Sequence, residues 1–69
     1  MNKLSLNNNI YSLELIKNAI NKYKDICNIE IKIEDEYYIL FFSKCVFNVN
    51  TTVNEFENYL IDLMVTNEC

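Results

Sequence analysis

The chain has 69 residues, 51% of them hydrophobic, a net charge of -4, and no Gly, Pro, His or Trp. This length predicts a single small domain over residues 1–69, and the hydrophobic share excludes a disordered acidic tail. All six basic residues are lysine, so the basic footprint and arginine forks of a nucleic-acid binder are missing. A domain of this size buries only about 60% of its unfolded surface, so it calls for a staple, a metal or a partner.

The start of the chain, MNKLSLNNNIYS, lacks the apolar core of a signal peptide, and no stretch approaches the ~20 apolar residues of a membrane span. Three cysteines, Cys27, Cys45 and Cys69, make an odd set without CxxC spacing. A disulfide framework prefers an even count. The expectation is a reduced cytoplasmic protein in which Cys27 and Cys45 are small core or near-core residues.

Lys3 to Leu6 alternate, with Leu4 and Leu6 on one side, and predict a first strand. The asparagines at 7, 8 and 9 form a turn, since Asn tolerates left-handed backbone when glycine is absent. Ser12 is a good N-cap. After it, Leu13, Ile16, Ala19, Ile20 and Tyr23 fall on one helical stripe. Glu14 in the first turn and Lys22 and Lys24 in the last suit the helix dipole. The helix should end near Lys24 or Asp25.

Ile29, Ile31 and Ile33 alternate with Glu30, Lys32 and Glu34, the period of a strand built on β-branched residues. Asp35-Glu36 fits a tight turn. The following run, Tyr37 to Phe42, is apolar on both faces. With a two-residue turn, Ile33 faces Tyr38, Ile31 faces Leu40 and Ile29 faces Phe42 on one side of the sheet. Glu34 then meets Tyr37, Lys32 meets Ile39, and Glu30 meets Phe41 on the other. A slip by one residue destroys this sorting.

Cys45 to Val49 alternate weakly and predict a short strand or an extended connector. Thr52-Val53-Asn54-Glu55 has the form of a capping box, and Val53, Phe56, Leu60, Leu63 and Met64 then form an apolar stripe that ends before Asn67. The order β-α-β-β-α predicts an α+β, two-layer domain. Two amphipathic helices cover one face of a three-stranded, mostly antiparallel sheet. The first two strands, joined through a helix, can be parallel neighbours.

Catalytic equipment is absent from the residue list. Without histidine there is no Ser-His or Cys-His arrangement. Without glycine there is no phosphate loop of the usual kind, and no Cys/His cluster suggests zinc. Glu34-Asp35-Glu36 lacks the spacing of a calcium loop and reads as a solvated turn. No catalytic, cofactor or metal residue is assigned. The candidate site is instead the second sheet face: Tyr37, Ile39 and Phe41, flanked by Glu30 and Lys32. Aromatics rimmed by charge on a small domain mark a contact surface.

Two stretches carry a resemblance. IYSLELIKNAINKYKD, Ile10 to Asp25, and EFENYLIDLMV, Glu55 to Val65, resemble the HxsD-type small proteins of His-Xaa-Ser peptide-modification systems. Tyr11, Ser12, Leu13, Glu14, Ile16 and Lys17 match the first part of the family pattern. Glu55, Phe56, Asn58, Leu60 and Asp62 match the second. The chain departs from the pattern after Asp62, where Leu63-Met64-Val65 replaces a charged, arginine-containing helix end. The resemblance implies a role beside radical S-adenosylmethionine enzymes that modify ribosomally made peptides, without implying any active-site residue.

Together these readings predict a non-catalytic accessory protein. It would bind a precursor peptide or a radical SAM maturase through its sheet, by the open face or by strand addition at an edge. The charge of -4 favours a lysine-rich leader or a basic patch on the enzyme. Two alternatives stand beside it. One is a structural homo-oligomer, a homodimer with sheets packed back to back on Tyr37, Ile39 and Phe41. The other is a folded leader modified near Cys69.

Overall fold

A computed structural model describes residues 2–67. The chain order is β1 (Lys3–Asn7), α1 (Leu13–Tyr23), β2 (Asn28–Glu34), β3 (Tyr37–Ser43) and α2 (Val49–Asn67), the α+β arrangement that the periodicities predict. Helix α1 begins where Ser12 supplies its hydroxyl to the Leu15 N–H at 3.2 Å, a side-chain cap for a donor that has no partner within the helix. Its stripe is the expected one. Ile16 and Ala19 are fully buried, and Ile20 and Tyr23 pack against the core.

The hairpin β2–β3 has the register that the apolar pattern demands. Ile29, Ile31 and Ile33 face Phe42, Leu40 and Tyr38, while Glu30, Lys32 and Glu34 face Phe41, Ile39 and Tyr37. Asp35 takes the left-handed conformation at the turn, with φ of 42°. Asp tolerates that region better than most residues because its short side chain bonds locally.

Strand order is where the structure departs from expectation. The first two strands are not neighbours: β3 lies between them, in the order β1-β3-β2, and both of its pairings are antiparallel. The physical reason lies in β3 itself. The central strand of a three-stranded sheet is the one most enclosed on both faces, and YYILFF is the only run apolar enough for that place. Leu4 and Leu6 on β1 face Leu40 and Tyr38, so the leucine side of β1 continues the core face.

Helix α2 starts earlier than predicted. Asn48 caps it, accepting from the Thr51 N–H at 3.2 Å through its side chain. Thr52 is not the cap. It lies inside the first turn, buried at 2% exposure, and its hydroxyl donates to the Asn48 carbonyl at 2.9 Å. The helix starts earlier because that start buries Thr52 and packs Val49 against the core. Cys45 to Asn48 form the connector, with no fourth strand. The predicted fraying before Asn67 is also absent, since the helix includes that residue.

The cysteines differ from the reduced expectation: Cys27 and Cys45 form a disulfide across 18 residues of chain. The hairpin brings them together. Asn28 pairs with Ser43 at the open end of the ladder, and the two cysteines lie just beyond that pair. The odd count misled because it does not exclude a pair among three cysteines. Cys69 lies outside the described residues.

The core is a single cluster between the helices and the sheet, centred on Leu6, Ile16, Leu40, Phe42, Phe56 and Leu60. The Phe56 ring meets Phe42 at 5.3 Å and Tyr23 at 5.4 Å, both edge to face, the preferred geometry of aromatic quadrupoles. Tyr23 is partly desolvated there, which, together with the charge of Glu55 and the neighbouring Tyr59, raises its pKa above the usual 10.0. A raised folded-state value favours the neutral phenol in the native protein. This contribution is therefore intact below pH 10 and is lost as pH rises through the folded value. Urea midpoints taken between pH 8 and 11 should fall above pH 10 by more in the wild type than in Tyr23→Phe. Equal slopes would show that Tyr23 does not sense folding.

Candidate functional site

With both helices on one side, the opposite face of the sheet is bare. Register alone defines what it carries, in three rows across the strands. Lys3, Phe41 and Glu30 form one row, Ser5, Ile39 and Lys32 the next, and Asn7, Tyr37 and Glu34 the third. All five predicted contact residues, Tyr37, Ile39, Phe41, Glu30 and Lys32, therefore share this face. They are not equally accessible. Tyr37 is 46% exposed and Phe41 40%, but Ile39 only 9%. Ile39 occupies the middle of the central strand, walled by Tyr37 and Phe41 along the strand and by Ser5 and Lys32 across it. It is a floor between two exposed aromatic rings.

Sequence reading missed the β1 side of this surface. Lys3 and Ser5 join it because β1 pairs with β3, and no local pattern announces that pairing. Ser5 lines a shallow depression of about 410 Å3 with Glu34, Asp35, Tyr37 and Ile39. It is acidic at one end and apolar on its floor. Lys32 and Glu34, two apart on the same side of β2, form an ion pair at 3.2 Å with both side chains more than half exposed. Such a pair contributes little to stability and exchanges readily for a partner's charges.

A second depression, of about 310 Å3, lies where the connector enters α2, lined by Phe47, Asn48, Thr51, Thr52 and Glu55. Val46 and Phe47 beside it are 68% and 65% exposed. Sequence reading passed over both, treating them as a strand or connector.

The residues that carried the family pattern divide by place. Ser12 caps α1. Ile16, Phe56 and Leu60 are core, and Tyr11 packs against it. Glu14, Lys17, Glu55, Asn58 and Asp62 are exposed on the helices. The pattern is thus mainly a record of how the helices cap and bury. Among the described residues there is no group of three or more His, Cys, Asp or Glu that can hold a metal ion, and no helix is long and apolar enough to cross a membrane.

Comparison with known proteins gives one positive result. The family model described as His-Xaa-Ser system protein HxsD matches residues 6–65. The matched range runs from the end of β1 to near the end of α2 and includes the whole β2–β3 hairpin. No curated protein and no solved structure matches.

Proposed function

This chain belongs to the HxsD family of His-Xaa-Ser system proteins, whose members are accessory, non-catalytic components, and from that premise we propose that it acts by contact, through the open face of its sheet. Its ligand is the precursor peptide, or the radical SAM maturase that modifies it. Tyr37 and Phe41 are the anchors, Ile39 is the floor between them, and Glu30 and Lys32 form the charged rim. The observation that carries this reading is the exposure of two aromatic rings, at 46% and 40%, on a sheet face that no element among the described residues covers. Interfaces concentrate their binding energy in such aromatic anchors ringed by polar residues.

Charge favours the same kind of partner. A protein of net charge -4 attracts lysine-bearing segments and repels acidic ones. The reading also places the protein in the cytoplasm beside its enzyme. Glutathione there opens accessible disulfides; Cys27 is 2% exposed and Cys45 half-buried, so exchange would begin at the Cys45 sulfur.

The test is capture of the purified precursor peptide and of the maturase, each offered separately to the wild type and to Tyr37→Lys/Phe41→Lys. Both substitutions lie on the open face, so the thermal melt should stay near that of the wild type. Loss of two anchors should weaken binding about a hundredfold, on the scale of about 1.4 kcal/mol per factor of ten. Equal binding by the variant would move the contact to another surface. A wild type that captures neither partner would overturn the reading.

A further inference from the structure

The central place of β3 leaves β1 and β2 as the two edges of the sheet, and they are not equivalent. The Phe42 N–H donates to the Asn2 carbonyl at 2.7 Å, on the β1 side. Main-chain groups of successive strand residues point to opposite sides. Even-numbered residues of β3 therefore bond toward β1 and odd-numbered ones toward β2. Through the register, Glu30, Lys32 and Glu34 complete the ladder with β3. Ile29, Ile31 and Ile33 direct their N–H and C=O groups outward.

On β1 the outward residues are Lys3, Ser5 and Asn7. The Asn7 carbonyl already accepts from Ile10 and Tyr11 at 3.1 and 3.0 Å, so the turn into α1 closes that end. Strand β2 is the longer free edge. Its pairing with β3 advances residue by residue without a bulge and it has no proline; of the usual devices that blunt an edge it carries only charged side chains, Glu30, Lys32 and Glu34. Its core-side flank is also incompletely covered: Ile33 is 62% exposed, and Ile29 and Ile31 are only half-buried.

The order of residues along this edge is self-complementary. Reading from Ile29 to Ile33 gives Ile-Glu-Ile-Lys-Ile. We propose that the edge is a dimerisation strand: a second copy of this chain pairs with β2 antiparallel about a two-fold axis at Ile31, joining two three-stranded sheets into one. Ile31 then faces Ile31 of the second copy, and Ile29 faces Ile33. Each of these facing isoleucine pairs exchanges both main-chain bonds. Glu30 faces Lys32 at the non-hydrogen-bonded positions, where cross-strand side chains approach most closely.

Neighbouring registers are worse. An axis at Lys32 sets lysine against lysine and Glu30 against Glu34. An axis at Glu30 sets glutamate against glutamate. The axis at Ile31 sets Glu30 against Lys32 twice, leaves Glu34 opposite the neutral Asn28 and keeps the isoleucines on the covered side, as an isologous contact requires; an axis at Ile33 also pairs Lys32 with Glu34 but sets Glu30 against Glu36. The open faces of the two copies, each with Tyr37 and Phe41, then become one continuous surface. The dimer does not depend on the identity of any precursor peptide or enzyme, so its test is separate from the capture experiment.

Light scattering of the purified protein alone, over micromolar to millimolar concentration, is that test. The wild type should pass from monomer to dimer mass. Lys32→Glu places Glu30 against a second glutamate and should weaken the dimer at least about tenfold. The swap Glu30→Lys/Lys32→Glu restores opposite charges at the same positions and should restore the dimer. Lys22→Glu, on exposed α1, changes net charge equally and should leave it intact. A wild type that stays monomeric throughout would overturn the proposal. So would a dimer that Lys32→Glu leaves unchanged, including one that only Tyr37→Lys/Phe41→Lys disperses.

Discussion

Phe56→Ala leaves the reduced domain unfolded at room temperature. Phe56 is 0% exposed and its ring joins three elements, touching Phe42 of β3 and Tyr23 of α1 from its own place on α2. Truncating a buried Phe to Ala costs about 3–5 kcal/mol in lost transfer free energy and cavity formation. The two edge-to-face contacts, each worth about 0.5–1.5 kcal/mol beyond burial, put the cost toward the upper end of that range. A chain of 69 residues has a core that supplies only about 3–5 kcal/mol in total. In the reduced protein, where the Cys27–Cys45 bond contributes nothing, the loss therefore equals or exceeds the whole stability.

The check is a urea titration in the presence of reductant, followed by circular dichroism, with the near-ultraviolet signal as the report on packed aromatics. Phe56→Ala should have no cooperative transition. Glu55→Ala, one residue earlier and exposed, should lie within about 0.5 kcal/mol of the wild type, as surface substitutions usually do. A cooperative transition in Phe56→Ala near the wild-type midpoint would mean that the core is organised around other residues.

Reduction of the Cys27–Cys45 bond should lower stability by about 3 kcal/mol. The bond closes a loop of 18 residues, and a link of that length removes about this much chain entropy from the unfolded state. The amount is large for so small a domain. The folded loop is the β2–β3 hairpin, already closed by its own ladder, so the native state changes little and the effect falls on the unfolded chain. Urea midpoints with and without reductant measure it. Cys69→Ser, which retains only the bonded pair, should show the same difference, and Cys27→Ala/Cys45→Ala should show none. Equal midpoints for the oxidised and reduced wild type would show that the ladder alone supplies the constraint.

Much of this protein was legible before any coordinates. Short-range rules sufficed for α1, where Ser12 and a five-residue stripe specified start and face, and for the hairpin, where every cross-strand pair from Glu34–Tyr37 to Ile29–Phe42 follows from period and turn length. The same rules placed Tyr37, Ile39, Phe41, Glu30 and Lys32 on one face. They could not grade them, because the burial of Ile39 depends on Ser5 from a strand more than thirty residues away in the chain. The start of α2 was misplaced for a related reason. The capping box Thr52-Val53-Asn54-Glu55 pointed to a later start, but burial of Thr52 against the rest of the domain puts it inside the first turn and leaves Asn48 as the cap.

By itself, then, the sequence determined the elements, the hairpin register and the covered side of each amphipathic segment, since these depend on contacts within a few residues or across one tight turn. Tertiary structure alone decided that β3 lies between β1 and β2, that Cys27 meets Cys45, that Lys3 and Ser5 border the aromatic rings, and that β2 is left as the long free edge. Each of those depends on which distant segments share the core, and a single chain carries no local signal for that choice.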